Sequence, residues 1–90
     1  MKITFDPSKR VNTLQTRGLD MAEAGTIFEG PHLTYVDDRK NYGETRHITI
    51  GHMAGRLVFV AWTQRGDTCR IISMRKANER EQAHYGPRFG

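Results

Sequence analysis

The chain has 90 residues, a length that fits one domain, and we expect residues 1–90 to form a single domain. Apolar residues make up 37% and charged residues 27% of the chain, a composition that is polar for a folded domain but does not indicate disorder. The longest apolar run, Leu57 to Trp62, is far too short to span a membrane, and the first residues do not resemble a signal peptide. The single cysteine, Cys69, excludes an internal disulfide framework and a cysteine-based zinc site. We therefore expect a cytoplasmic protein that uses no metal or cofactor.

The formal net charge is +4, and the basic residues are concentrated in the second half of the chain. Residues 1–45 hold six basic and seven acidic residues, whereas residues 46–90 hold eight basic and three acidic ones. Ten of the fourteen basic residues are arginines, whose planar guanidinium group matches phosphate and carboxylate groups. An arginine-rich second half indicates an anionic partner, either a nucleic acid or an acidic protein.

The N-terminal third of the chain predicts one short strand and two helices. Lys2 to Phe5 alternates between polar and apolar residues, as a strand does. Asp6-Pro7 provides the N-cap and the first residue of a helix, which we expect over residues 7–17. A second helix is expected to begin at Asp20 and to end at Gly30-Pro31.

The rest of the chain predicts a sheet followed by a final helix. A strand over residues 32–36 is followed by a polar turn, and the alternation then predicts three further strands. The last helix is expected from Asn78 to Tyr85, before Gly86-Pro87. The three further strands are predicted over residues 45–52, 57–65 and 69–75. The predicted fold is therefore α+β, a small antiparallel sheet with two N-terminal helices and one C-terminal helix.

The register of the last hairpin decides which arginines lie together. Gly66-Asp67 predicts a two-residue type II′ turn. With that turn, Arg65 and Arg70 share one face of the sheet and Arg75 lies on the other. A longer loop or a bulge in the hairpin would change this alternation and could bring Arg75 to the face of Arg65 and Arg70. The sequence leaves both registers open.

Basic side chains on or beside the predicted strands are the strongest candidates for a functional site. Metal-independent RNA cleavage requires a base for the ribose 2′-OH, positive charge near the phosphorane and a proton for the leaving 5′-oxygen. Arginines supply the positive charge, and Glu44 or His52 could act as the base, whereas no side chain stands out as the acid. The alternative is that each strand arginine is solvated or pairs with an acidic residue such as Asp37. The arginines are Arg46, Arg56, Arg65, Arg70 and Arg75.

Tyr42 and Trp62 are the aromatic residues that could stack on nucleic-acid bases. Trp62 lies within an apolar run, which favours a place in the core, whereas Tyr42 lies in a polar turn and is a candidate RNA-binding residue. His47 and His52 are five residues apart on one predicted strand and therefore lie on opposite faces, so they do not predict a metal site.

Several segments match the motifs of a known family. Residues 35–46 resemble a D-x-R-x-x-Y-G-E-x-R stretch, and Arg70 to Ala77 matches the specific signature R-I-I-S-x-R-x-A. Phe5-Asp6-Pro7-x-Lys9 and an I-G…G-R…T-x-R pattern that begins at Ile50 match as well. With these motifs, nearly the whole chain resembles the BrnT family, the toxins of the bacterial BrnT–BrnA type II toxin–antitoxin systems.

The resemblance implies a RelE-like fold and the activity of a metal-independent endoribonuclease. It also implies a cognate BrnA-like antitoxin as partner, RNA as substrate, and contact with operator DNA only through the antitoxin. By position in the motifs, the candidate catalytic residues are Arg65, Arg70, Arg75 and Glu44. The candidate RNA-binding residues are Arg46, Arg56, Lys76 and Tyr42.

One position departs from the pattern of the family. Many relatives have Lys-His-Gly where this chain has Thr16-Arg17-Gly18, and an arginine cannot replace a histidine as a base. Two alternatives therefore stand beside the toxin hypothesis. One is a non-catalytic module that binds nucleic acid or an antitoxin and acts in operon regulation, and the other is a catalytically inactive relative kept for regulation through its partner.

Overall fold

A computed structural model describes residues 2–89. Its five strands form one sheet, and the α+β class expected from the sequence is confirmed. No helix within residues 2–89 is long and apolar enough to cross a membrane. The elements are, in chain order, strand β1 (Lys2–Thr4), helix α1 (Pro7–Arg17), a 3₁₀ turn (Met21–Glu23), helix α2 (Gly25–Glu29), strands β2 (His32–Asp37), β3 (Arg46–Met53), β4 (Arg56–Arg65) and β5 (Thr68–Lys76), helix α3 (Glu79–Tyr85) and a second 3₁₀ turn (Gly86–Phe89). The strand order in the sheet is β1-β5-β4-β3-β2.

The sheet is mixed, and the expectation of a fully antiparallel sheet is wrong for its first strand. β1 runs parallel to β5, with Lys2 opposite Thr68 and Thr4 opposite Arg70, whereas the other strand pairs are antiparallel. β1 is short, and its partner lies near the other end of the chain, so the local pattern carries no information about their relative direction. The direction depends on the packing of α1 against β5, which is a tertiary contact.

The first helix begins and ends at the predicted residues. The Asp6 side chain accepts a hydrogen bond from the backbone N–H of Ser8 at 2.8 Å, and Pro7 is the first helical residue. Gly18 ends the helix with a positive φ of 69°, and its N–H donates to the Leu14 carbonyl. This is the left-handed C-cap that glycine adopts without steric cost.

The second predicted helix is divided in two. Asp20 caps its start, as expected, but the first turn is a 3₁₀ turn and α2 begins only at Gly25. Glycine has a low helix propensity, which favours an interruption at this point. Ala24 and Ile27 on either side of Gly25 are completely buried, so packing against the sheet holds this short helix in place.

Each face of the sheet carries a hydrophobic core. On the first face, the N-terminal helices pack on the strands through buried residues that include Met21, Ile27, Val58, Val60, Ile71 and Met74. On the second face, a smaller cluster comprises Ile48, Ile50, Leu57, Phe59 and Ala77, with Tyr85 and Phe89 packed against it. The C-terminal segment covers only part of the second face, and side chains on the remainder, such as Arg65 and Ser73, are exposed.

A β-bulge in β5 changes which side chains share a face. Trp62 of β4 lies opposite Ile71, but the preceding residue of β4, Ala61, lies opposite Ser73. Ile72 is therefore an extra residue, and an extra residue reverses the alternation of the side chains beyond it. Of the two registers that the sequence leaves open, the structure has the bulged one.

The C-terminal helix begins at the predicted cap. The Asn78 side chain accepts from the backbone N–H of Glu81, and the Glu81 carboxylate accepts from the backbone N–H of Asn78, which completes a capping box. The α-helix ends at Tyr85, as expected. Gly86 and Pro87 do not end the helical segment, however, since the chain continues as a 3₁₀ turn to Phe89.

Two tight turns connect β3, β4 and β5. In the second turn Gly66 has a positive φ of 61° and Asp67 does not, which agrees with the predicted type II′ turn. In the first turn Ala54 and Gly55 have φ values of 51° and 77°, and a type I′ turn requires positive φ at both positions. Ala54 is the non-glycine residue with positive φ in the described chain, a conformation that costs an L-residue about 1 kcal/mol.

Replacing Ala54 with asparagine is expected to stabilise the protein. Asparagine tolerates positive φ and is favoured at this position of a type I′ turn, and Ala54 is exposed, so packing does not change. We expect Ala54→Asn to raise the Tm by about 2–5 °C and Ala54→Val, whose branched side chain resists positive φ, to lower it. Thermal unfolding followed by circular dichroism measures both, and the opposite order of the two variants would contradict the strained turn.

Candidate functional site

The bulge brings three arginines of the β4–β5 hairpin to one face of the sheet. Arg70 lies opposite Thr63 and Arg75 opposite Phe59, and Thr63 and Phe59 alternate onto the same side of β4 as Arg65. Along β4, the positions of Phe59 and Arg65 are about 20 Å apart, so the guanidinium groups form a row of about that length. The open part of the second face, called the arginine face below, carries Arg46, Arg65, Arg70 and Arg75.

Glu44 is shared between two of these arginines. Its Oε1 lies 3.5 Å from Nη2 of Arg65, and its Oε2 lies 3.9 Å from Nε of Arg46. Nε of Arg46 is buried and has no hydrogen-bond partner within the described residues. Arg70 makes no salt bridge with any residue from 2 to 89. Arg46 and Arg65 therefore share one carboxylate, and Arg70 adds a guanidinium group without a salt bridge, so this end of the arginine face has an excess of positive charge.

A buried aspartate fixes the loop between β2 and β3, which ends at Glu44 and Thr45. Asp37 is 6% exposed. Its carboxylate accepts hydrogen bonds from Nε and Nη2 of Arg39 at 2.8 and 2.9 Å and from the Tyr42 hydroxyl at 3.3 Å. The hydrogen bonds from Arg39 are the largest cause that lowers the pKa of Asp37 to about 2. The sequence signal for this pair was present, since both residues belong to the D-x-R motif, but sequence reasoning gave neither of them a place in the site.

Tyr42 supports Arg46. The Arg46 guanidinium lies 3.9 Å from the centre of the Tyr42 ring, well within cation–π range. Nζ of Lys40 lies 5.3 Å from the same ring, and the Tyr42 hydroxyl is bound to Asp37. Arg46 therefore occupies the ring that the sequence predicts to stack on RNA bases, and Tyr42 links the aspartate to the arginine face.

A concavity of about 250 Å³ adjoins the row of arginines. Side chains of the central strands form its floor, among them Phe59 and Ala61. Tyr35 and the loop residue Arg39 line it on the β2 side, and β5 lines it on the other side. Burial is the largest cause that raises the pKa of Tyr35 above its ordinary value.

Arg75 stands at the edge of this concavity, and α3 holds it there. Its Nη1 and Nη2 donate to Oε1 and Oε2 of Glu81 at 2.7 and 2.8 Å. The guanidinium lies 4.3 Å from the centre of the Phe59 ring. The hydrogen bonds from Arg75 lower the pKa of Glu81 to about 2. Glu81 thus connects the cap of α3 to the arginine face.

Two of the predicted RNA-binding residues lie away from this face. Arg56 begins β4, opposite Met53, and is about 30 Å along the strand from Arg65. Lys76 lies opposite Val58 and so belongs to the first face of the sheet, on which the N-terminal helices pack. The Nζ of Lys76 lies close to Gly18 at the end of α1. A methyl group placed on the Cα of Gly18 would be 3.6 Å from this Nζ.

Arg17 fastens the end of α1 to the edge of the sheet. Its Nη1 donates to the Met74 carbonyl at 2.6 Å. β1 pairs with β5 only as far as Arg70, so the carbonyl of Met74 lies on the edge of β5 beyond its strand partner. At the position where the family resemblance implies a histidine, Arg17 therefore supports the edge of β5 next to Arg75, with which it lines a shallow cleft.

The histidines of β3 lie apart from Arg65 and Arg70. The His47 ring stacks on Trp62 with the ring centres 4.5 Å apart, on the first face of the sheet. His52 lies opposite Leu57 at the far end of the second face, near Phe89. Within residues 2–89, no group of three or more His, Cys, Asp or Glu side chains is placed to hold a metal ion.

The fold and this face together define a class of protein. A small α+β domain presents, on an open part of its sheet, arginines in excess over carboxylates, an arrangement typical of proteins that bind a polyanion such as RNA. Residues 5–81 match the family described as the ribonuclease toxin, BrnT, of type II toxin–antitoxin systems. The chain belongs to this family, and the resemblance predicted from its motifs is confirmed.

The family match includes the whole arginine face and ends within α3. No curated protein matches the chain. As a ribonuclease toxin of a type II system, a member of this family acts on RNA and has a protein antitoxin as its partner.

The pair of Arg75 and Glu81 predicts a specific dependence of stability on pH. The pKa of Glu81 is about 2 in the folded protein against 4.5 for the free side chain, so the pair contributes its full stability above about pH 4.5 and loses it as the pH falls toward 2. We expect Glu81→Gln to lower the free energy of unfolding at pH 7, with a difference from wild type that shrinks below pH 4.5. Urea unfolding at pH 7, 4 and 3 measures this difference.

Glu79→Gln is the matched control, because Glu79 is exposed and belongs to the same turn of α3. It should differ little from wild type at each pH. A difference between Glu81→Gln and wild type that stays constant from pH 7 to pH 3 would show that the pair does not stabilise the folded state in this way.

Proposed function

We propose that this chain is a metal-independent endoribonuclease toxin with a RelE-like arrangement, whose arginine face binds the scissile phosphodiester of RNA. The observation that carries the proposal is that Arg46 and Arg65 share the Glu44 carboxylate while Arg70, on the same open face, makes no salt bridge within the described residues. These arginines leave net positive charge where an RNA backbone can approach.

The residues of this face can supply most of the chemistry of cleavage. Glu44 accepts the proton of the ribose 2′-OH as that oxygen attacks phosphorus, and the bond to the 5′-oxygen breaks. The guanidinium groups of Arg65 and Arg70 stabilise the charge that develops on the phosphorane oxygens. The leaving 5′-oxygen takes a proton from solvent, and Glu44 returns its proton to solvent. The products are a 2′,3′-cyclic phosphate and a 5′-hydroxyl.

Other residues of the predicted set have different parts in this proposal. Arg46 completes the phosphate site, and Tyr42 positions Arg46 through the stacked ring. Arg75 stands at the other end of the row, where Glu81 occupies its paired N–H groups, and it borders the path of the neighbouring nucleotide. Arg56 and Lys76 remain predicted RNA contacts outside the arginine face.

The partner in this proposal is a cognate BrnA-like antitoxin that neutralises the toxin. An acidic segment that covers Arg65 and Arg70 would block the phosphate site directly, since carboxylate and phosphate compete for the same guanidinium groups. Contact with operator DNA would then come through the antitoxin. We further propose that residues 1–90 act as one domain in the cytoplasm.

A second candidate function is binding of RNA or of an antitoxin without cleavage. Two observations favour it: Glu81 and Glu44 already engage Arg75 and Arg65, and both histidines of β3 lie apart from the arginine face. This reading predicts that RNA is retained in a salt-sensitive manner and that no product forms.

The test is cleavage of bulk RNA by the purified, antitoxin-free protein in the presence of EDTA. Wild type should degrade the RNA, and Arg70→Ala should lower the rate by about 100-fold or more, because it removes a charge that stabilises the transition state. Arg70 makes no salt bridge among the described residues, so the variant should keep its Tm.

Arg80→Ala is the matched control, because it removes an exposed arginine of α3 that lies outside the arginine face. It should cleave at the wild-type rate. Retention of RNA by folded wild type without any product would favour the binding function, and cleavage by Arg70→Ala at the wild-type rate would refute the phosphate site.

A further inference from the structure

We propose that the concavity between Tyr35 and β5 is a subsite for one base of the RNA, next to the bound phosphate. The proposal rests on the proposed ribonuclease function and extends it, because a base subsite would make cleavage depend on the nucleotide at that position. Its shape, its charge, its free hydroxyl groups and its distance from Arg70 support it independently of one another.

The floor of the concavity depends on one small side chain. Ala61 lies in the middle of the long strand β4, opposite Ile48 on one side and Ser73 on the other. It is only partly buried, although its neighbours Phe59 and Val60 are buried. A larger side chain at this position would project into the space of about 250 Å³ and reduce the room for a ligand. Ala61 and Ile48 form an apolar floor beside Phe59, which the Arg75 guanidinium covers, and this floor suits the apolar face of a planar ring.

The charges of the concavity favour a neutral ligand. Each of its two arginines is held by a carboxylate through two hydrogen bonds, Arg39 by Asp37 and Arg75 by Glu81. Asp38 adds a further carboxylate to the lining. A phosphate would therefore gain little here and would prefer the end of the face with Arg70. An uncharged base meets no such opposition.

Two hydroxyl groups are available to such a base. The hydroxyls of Tyr35 and Ser73 line the concavity, and neither takes part in a hydrogen bond with the described residues. Burial raises the pKa of Tyr35, with Asp37, Arg39, Arg75 and Tyr85 as the charged or titratable groups around it. The Tyr35 hydroxyl therefore keeps its proton at neutral pH and can donate to a base. Tyr35 is 43% exposed, and its ring offers a wall for stacking.

The concavity lies at a nucleotide's distance from the phosphate site. Ala61 and Thr63 are neighbours on the same face of β4, about 7 Å apart, and Thr63 lies opposite Arg70. The ribose that separates a base from its phosphate covers a distance of this order. A phosphate at Arg70 and its base above Ala61 would thus belong to one nucleotide.

The test fills the concavity without removing a charge. In ¹⁵N-labelled wild type, at least one of the four ribonucleosides should shift the amide signals of Tyr35, Ala61 and Ser73. Ala61→Leu should weaken this binding by about 10-fold or more and should abolish the base preference of cleavage on a mixed-sequence RNA. The same substitution at Ala83, which is exposed on α3, is the matched control and should change neither property.

A second variant covers the case in which Ala61→Leu does not fold. Tyr35→Phe removes only the hydroxyl, and we expect it to change the relative affinity for the four nucleosides by up to about 10-fold. The subsite is refuted if no nucleoside shifts the amides of the concavity, or if Ala61→Leu cleaves RNA at the wild-type positions and rate. In the latter case the ribonuclease function stands. Conversely, nucleoside binding at Ala61 in a protein that cleaves no RNA would support the subsite and refute the ribonuclease function.

Discussion

Ile72 is one residue more than β5 needs to match β4, and the position of this extra residue decides which arginines share the open face of the sheet. Below the bulge the side chains of β5 alternate as a plain hairpin would place them, with Arg70 opposite Thr63. Above the bulge the alternation is reversed, and Arg75 joins Arg70 on the open face. Without the bulge the hairpin would present only Arg65 and Arg70 on the open face. Arg75 would then point to the first face, toward the N-terminal helices, where a buried charge is costly.

The carboxylates divide the open face into two halves of different character. Around Glu44 there are fewer acids than arginines, and the surplus positive charge suits an RNA phosphate. Around Asp37 and Glu81 each arginine has its own carboxylate, and the surface is nearly balanced. In the proposed function, a row of similar side chains therefore offers two kinds of site side by side, one for an anion and one for an uncharged ring.

The same contacts that shape the face also hold the fold together. Glu81 completes the capping box of α3 and binds Arg75, so the helix that covers part of the second face is connected directly to the arginine row. Asp37 is the corresponding centre on the other side, where it joins β2 to the loop that carries Tyr42 and Glu44. A substitution at either acid is therefore expected to change stability and the geometry of the face together.

The sequence by itself determined the elements whose signals are local. Asp6-Pro7, Gly66 and Asn78 mark ends and turns through contacts with residues a few positions away, and these predictions are confirmed. The motifs around Arg39 and Arg70 likewise identified the family, because they are short strings of neighbouring residues. Two local predictions failed: the helix expected from Asp20 is interrupted before Gly25, whose helix propensity is low, and the chain continues as a 3₁₀ turn past Gly86.

Only the tertiary structure decided the direction of β1, the face of Arg75 and the partner of each arginine. Each depends on the pairing of residues far apart in the chain, such as Thr4 with Arg70 or Arg65 with Glu44. An extra residue such as Ile72 leaves the local pattern of β5 intact and becomes visible only when β4 lies beside it. The sequence could therefore name the candidate arginines, whereas the hydrogen bonds between distant strands determined which of them share a surface.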